Sequence, residues 1–302
     1  MNNEDIKIKE IETPSIMTKS SLPVGGYSVN PYVGCTHGCK YCYASFMKRF
    51  TGHTEPWGSF LDVKKWPPIK DPKKYANQRV VIGSVTDGYL PQEEQFRNTR
   101  KLLEQLVNSD AEILICTKSD LVLRDLDLLK KMKKVTVSWS INTLDENFKN
   151  DMDHAVSIER RLAAMKKVYD AGIRTVCFIS PVFPAITDFE AIFYKAKDQC
   201  DLVWLENLNL RGGFKKTILD YIDEKYPHLH SLYHDIYTKR DRSYFKGLEE
   251  KARQLAIKND CPFVDNELLY GRSKPGYPVI VDYFYHEEIR GSDNTGHRNI
   301  KD

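Results

Sequence analysis

Short apolar runs alternate with longer amphipathic stretches along most of the chain. The runs at residues 26–30, 79–85, 112–117, 135–141, 174–179 and 201–206 predict six strands. Between them, residues 93–108 place Phe96, Leu103, Leu106 and Val107 near one face of a helix. Residues 157–171 carry Leu162, Met165, Val168 and Tyr169 at helical spacing and stop at Gly172, and residues 188–199 predict another helix. Strand–helix units in succession predict a parallel sheet with crossover helices. Right-handed crossovers that keep turning one way roll such a sheet into a barrel or part of one. An open doubly wound sheet has the same local pattern, and periodicity alone does not separate the two. In both, ligands gather at the carboxyl ends of the strands.

Polar motifs fall at those ends. Residues 35–42, with three cysteines, follow the first strand, Ser84-Val85-Thr86-Asp87 the second and Thr117-Lys118-Ser119 the third. Ser140-Ile141-Asn142-Thr143 follows the fourth, Ser180-Pro181 the fifth and Glu206-Asn207 the sixth. The first connection is long and reaches Asn77, with one helix expected after Cys39 and a less regular piece beyond. After Leu210 the pattern changes at Arg211-Gly212-Gly213, and helical stretches follow at 214–226 and 244–258, with an apolar run at 277–285. The expected organisation is a lead-in over 1–25, the sheet and its helices over 26–210, and a mostly helical C-terminal cap over 211–302.

The chain has 302 residues, 41% hydrophobic and 29% charged, which suits one large globular α/β domain. No apolar run reaches membrane-spanning length, and the charged N-terminus lacks a secretory core, so a cytoplasmic protein is expected. Seven cysteines, three clustered and four single, make a poor disulfide framework and suit a reducing compartment. Cys116 and Cys177 sit in apolar runs and read as small core residues. The net charge of +3 neither demands nor excludes nucleic acid. The basic run at 130–134 reads as a solvated helix end, where cations complement the helix dipole.

Cys35, Cys39 and Cys42 stand in a C-x3-C-x2-C spacing, with Tyr41 just before the last. Three thiolates can hold three corners of a [4Fe–4S] cubane and leave the fourth iron open, which points to an enzyme more than to an electron carrier. An open iron can be chelated by the amino and carboxylate groups of S-adenosylmethionine. Reductive cleavage of that sulfonium releases a 5′-deoxyadenosyl radical, which the protein must aim at one substrate hydrogen. Tyr41 has the size to pack beside the adenine, and Gly34 and Gly38 let the loop wrap the cluster. The other reading is a zinc site with His37 as fourth ligand. Such sites normally pair two ligands from one loop with two from another, and His37 lies between two of the cysteines.

The phrase Asn30-Pro31-Tyr32-x-Gly34-Cys35-x-His37-x-Cys39-x-Tyr41-Cys42-Tyr43-Ala44 resembles the spore-photoproduct-lyase-like branch of the radical SAM superfamily. Thr86-Asp87-Gly88-Tyr89-Leu90-Pro91-Gln92-Glu93, Thr117-Lys118-Ser119, Arg124-Asp125, Arg161-Leu162 and Pro181-x-x-Pro184 are also similar to it. The resemblance covers about residues 15 to 210, and the whole chain looks closest to the radical SAM mobile pair protein B group. It implies a partial (β/α)6 TIM-like barrel, a [4Fe–4S] cluster, S-adenosylmethionine, a second radical SAM protein as partner, and an electron donor such as a flavodoxin or ferredoxin. Carried over, Lys118 would pair with the carboxylate of the cofactor and Ser140 would bond to it nearby. Asn142 would touch its ribose or cap the next helix. Asp87 would bond cofactor or substrate, or cap the turn before Glu93. Tyr89 would line the pocket or pack in the core. Arg161 reads as an ion-pair residue, and Glu206 and Asn207 as pocket candidates.

One departure matters. The branch's hydrogen-donating cysteine aligns with Ser84, and a serine O–H bond is too strong for that role, so thymine-dimer repair is not expected. Cys116 is the remaining candidate hydrogen donor. The substrate could be a DNA lesion, a modified nucleotide or a peptide. The alternative function is non-catalytic, a cluster-bearing subunit that delivers electrons or recognises substrate for a paired enzyme.

Overall fold

The computed structural model describes residues 6–20, 26–210, 212–265 and 276–284. Twelve strands are formed among them: β1 Lys7–Glu12, β2 Thr18–Lys19, β3 Tyr27–Val29, β4 Tyr32–Val33, β5 Phe60–Lys65, β6 Arg79–Ile82, β7 Glu112–Thr117, β8 Val135–Ser140, β9 Arg174–Val182, β10 Leu202–Asn207, β11 Phe263–Asp265 and β12 Val279–Asp282. The α-helices are α1 Glu93–Phe96, α2 Asn98–Leu106, α3 Leu126–Leu129, α4 Glu146–Met152, α5 Ile158–Asp170, α6 Phe189–Ala196, α7 Gly212–Lys225, α8 His230–Tyr237 and α9 Ser243–Lys258.

All six expected strands are present as β3 and β6 to β10. They lie side by side in chain order and every neighbouring pair is parallel. The chain therefore advances one strand at a time in one direction, the sense that curls a sheet into a partial barrel. β12 and then β11 continue the sheet beyond β10, also in parallel, while β2 ends it antiparallel to β3. The lead-in thus carries two strands, one of which, β1, belongs to a separate small sheet with β5 and β4. The cap supplies two further strands besides helices. Arg211 and residues 266–275 and 285–302 of the expected cap lie outside the described residues.

Alternation along each strand separates two apolar faces. Val80, Ile82, Ile113, Ile115, Val137, Trp139, Cys177, Ile179, Val203 and Leu205 join the core under the helices. Leu114, Val176, Phe178, Leu202, Trp204, Val281 and Tyr283 pack with one another on the inner wall. A third group gathers Tyr41, Phe148, Met152, Phe183, Ile218, Tyr221, Ile222 and Tyr233, so α7 and α8 close over the cysteine loop and α4.

Helix starts follow side-chain caps. Ser157 accepts from Arg160 N at α5, Asp188 from Ala191 N at α6 and Asp145 from Asn147 N at α4. The helix expected over 93–108 is split, because Arg97 takes a left-handed conformation at φ 53°. The cause is Glu93, whose buried carboxylate reaches past the break to accept from Thr99 N and Arg100 N of α2. Among the described residues no helix is long and apolar enough to cross a membrane.

Candidate active site

The cysteine loop leaves β4 through Gly34, whose φ is +91°. A side chain there would place its Cβ 2.4 Å from the Phe60 carbonyl oxygen of β5, so only glycine fits. Two tight turns then follow, closed by Gly38 N to Cys35 O and Cys42 N to Cys39 O, both 3.1 Å. The end of α4 and the segment after it pin the loop from one side, through Lys40 N to Met152 O at 2.9 Å and His154 N to His37 O at 2.8 Å. From the other side Thr86 Oγ1 donates to Gly34 O at 2.5 Å. Backbone bonds from both sides and one obligatory glycine therefore set the shape of the loop.

Its three cysteines are free thiols, Cys35 buried and Cys39 and Cys42 half-buried. Burial pushes all three thiols up. The Lys118 charge opposes that rise at Cys39 and Cys42. Among the described residues no three His, Cys, Asp or Glu side chains gather closely enough to hold a single ion. A mononuclear zinc site draws its sulfurs to about 2.3 Å from one centre, whereas a cubane takes one thiolate at each of three separate irons. Three thiols on one loop are a donor set suited to a cubane.

Asp87 is the junction of the site. It is 5% exposed and accepts from Tyr89 N at 2.8 Å, Thr117 Oγ1 at 2.8 Å, Lys118 N at 2.7 Å and His37 Nε2 at 3.0 Å. Burial works against its charge, but the His37 ring and the Lys118 and Tyr89 amides outweigh it and hold the carboxyl below its usual range. Asp87 does cap the turn before Glu93, through Tyr89 N, but its other bonds reach further. It ties the ends of β6 and β7 to the cysteine loop, which it meets through His37 Nε2.

Lys118 then reaches inward, its Nζ 5.5 Å from the centre of the Tyr41 ring. Tyr41 is buried, meets Phe183 edge-on at 5.5 Å and donates its hydroxyl to Asp153 Oδ2 at 3.3 Å. Asp153 also receives Arg161 Nη2 at 2.8 Å, and the fully buried Arg161 donates to Ser140 O at 3.1 Å and Val156 O at 2.9 Å. Arg161 is thus the ion-pair residue the sequence suggests, and it locks the end of β8 to the cysteine loop. Burial raises the Asp153 carboxyl, but Lys118 and Arg161 prevail and keep it below the usual range.

Asn142 does not cap α4, since Asp145 does. Its carbonyl accepts from Thr187 Oγ1 at 2.8 Å, while its buried Nδ2 has no partner among the described residues. Asn207 Oδ1, at the end of β10, is likewise buried without a partner. Buried amides seldom go unpaired, so both have capacity for a polar ligand at the strand ends. Glu206 accepts from Ser180 Oγ at 2.5 Å. Tyr89 packs in the core.

Cys116 differs from its expectation as a small core residue. Only Cys177 joins the core; Cys116 is half-buried and lies beside Ser138 in register. Odd-numbered residues of β7 face the helices, so Cys116 lies on the inner face. Its thiol is pushed up to about 12, first by burial and then by the Asp87 and Glu206 charges, and it stays protonated at neutral pH.

Sequence reasoning missed Asp153, which stands 112 positions from Tyr41. It also missed Asn30 as a brace: Asn30 Nδ2 donates to Ser28 and Ser84 Oγ, both at 3.2 Å, and Asn30 Oδ1 accepts from Val85 N at 3.1 Å. No local pattern marks either residue, because each acts on a strand end distant in the chain.

Residues 29–193 match the Radical SAM superfamily model. An uncharacterised protein of Methanocaldococcus jannaschii is 33% identical over 265 residues, 86% of this chain and 99% of that one. A radical SAM Nα-GlyT isomerase of Pseudomonas phage M6 is 25% identical over 173 residues, 56% of this chain and 34% of that one. Spore photoproduct lyase complexed with a dinucleoside spore photoproduct has the same fold, with a TM-score of 0.60, 17% identity, and 92% of this chain and 82% of that chain covered. The partial barrel, with three cysteines on a glycine-shaped loop at its mouth, belongs to a member of the radical SAM superfamily, an enzyme family that works with a [4Fe–4S] cluster and S-adenosylmethionine.

Proposed function

We propose that this chain is a one-cluster radical SAM enzyme in which Cys35, Cys39 and Cys42 hold the [4Fe–4S] cluster. The observation that carries the reading is the cysteine loop, held from three directions by Gly34, Asp87 and the 152–154 segment. When bound, the cluster and S-adenosylmethionine supply a 5′-deoxyadenosyl radical that takes a hydrogen atom from the substrate. The protein's own residues do the rest. Lys118 offers a cation for the cofactor carboxylate, and its place is set by the bond from its amide to Asp87. Ser140, half-buried at the end of β8, and the unpaired Asn142 Nδ2 offer polar contacts beside it. Tyr41 walls one side and excludes water, held by Asp153 and Phe183. Cys116 supplies a protonated thiol on the inner face, a group able to return a hydrogen atom to a product radical.

Anaerobic reconstitution with iron and sulfide, followed by dithionite and S-adenosylmethionine, tests the reading. About four irons per chain and formation of 5′-deoxyadenosine are expected. Cys39→Ala should lose both. A fully loaded cluster that leaves S-adenosylmethionine intact would refute the assignment. A partner radical SAM protein is also proposed, from the resemblance of the whole chain alone. Assays of each protein singly and together would separate an active chain from an accessory one.

A further inference from the structure

The 3-10 helix Tyr43–Phe50, directly after the last cysteine, presents large apolar side chains to solvent. Tyr43 is 52% exposed, Phe46 43% and Phe50 67%. With three residues per turn, Tyr43, Phe46 and Arg49 fall on one ridge, and Phe50 borders it. The Arg49 guanidinium lies 5.4 Å from the Phe46 ring centre and 4.6 Å from that of Phe50, and the two rings meet edge-on at 6.4 Å. The Tyr43 hydroxyl donates to the Ser84 carbonyl, which anchors the near end of the ridge at the end of β6, on the rim of the barrel mouth. From Asn30 to Thr54 the sequence has no Asp or Glu, yet it carries Lys40, Lys48 and Arg49.

Exposed rings beside an unopposed guanidinium suit a ligand with flat π-faces and a polyanionic backbone. An acidic protein would satisfy the cations and leave the rings without stacking partners. A second copy would set like charges against each other. We propose that Tyr43, Phe46, Arg49 and Phe50 form a base-stacking platform that receives an unpaired nucleic-acid strand and guides it to the barrel mouth. The inference deepens the proposed function by naming a substrate class, and it rests on that reading only for the mouth being the place of reaction.

The test is fluorescence anisotropy of the reconstituted full chain, under argon, with labelled single-stranded DNA of about 15 nucleotides and with RNA of the same sequence. Binding is expected, and it should weaken as salt rises. Phe46→Ala and Phe50→Ala should each weaken it about ten-fold, while Phe50→Tyr should retain it. Arg49→Ala should flatten the salt dependence. The DNA and RNA arms show which backbone is preferred. Substrate-free formation of 5′-deoxyadenosine should be unchanged in these variants, because none of the four residues is assigned to the cofactor. Absence of salt-dependent binding, or alanine variants that bind like the parent, would overturn the proposal. So would self-association, or capture of an acidic flavodoxin, through these side chains without oligonucleotide binding. Strand binding without cleavage of S-adenosylmethionine would leave the platform standing and remove the enzymatic reading; cleavage without strand binding would do the reverse.

Discussion

At the scale of single residues, position matters more than chemical type. Gly34 is needed because the β5 backbone leaves no room for a side chain at a left-handed turn. Gly34→Ala should cost about 1–3 kcal/mol in urea unfolding and should lower the iron content after reconstitution, since the turn carries Cys35. The thiols were legible from spacing alone. Asp87 was legible as a site residue and a turn cap but not as a junction: four donors from three separate segments converge on it, and no spacing rule encodes such convergence. Cys116 was misjudged because an apolar run does not reveal which of two apolar faces a strand residue takes. Register against β8 settles it.

At the scale of elements, the six parallel strands were legible because each is an apolar run bounded by polar turns. β1 was not, since its residues are mostly exposed and alternate with lysine and glutamate, and β5 is buried over four successive residues with no clean period. The division between α1 and α2 was hidden for another reason: a buried carboxylate, not a helix breaker, makes it. The link between α4 and α5 couples the two sides of the site. Asp153 in that link joins Tyr41 of the cysteine loop to Arg161, which holds the end of β8. Asp153→Ala leaves a buried guanidinium unpaired. It should cost about 3–5 kcal/mol in denaturant unfolding and raise the KM for S-adenosylmethionine more than it lowers kcat. A variant that keeps parental stability would show that Asp153 carries no such load.

At the scale of the whole molecule, paired carboxylates and buried thiols set the pH range of stability. Asp87 and Asp153 titrate below the ordinary value of 3.8, so the stability they contribute is present above that value and is lost as pH falls through their lowered range. The Cys116 and Cys177 thiols are raised from 9.0 to about 12, so their contribution is full below pH 9 and disappears as pH climbs toward 12. Each unit of such a shift is worth about 1.4 kcal/mol per group. The metal-free protein should therefore show a thermal midpoint that is flat between these limits and falls at both ends. Cys177→Ala should soften only the alkaline fall, which a melting series across pH would show. A midpoint that stayed level up to pH 12 would contradict the burial of these thiols.

The unequal depth of the three loop thiols has a further consequence. Cys35 is 8% exposed, while Cys39 and Cys42 are half-buried. Air or an alkylating reagent arriving from solvent meets the outer pair first. Modification of the loop should thus begin on one flank and reach the deepest sulfur last.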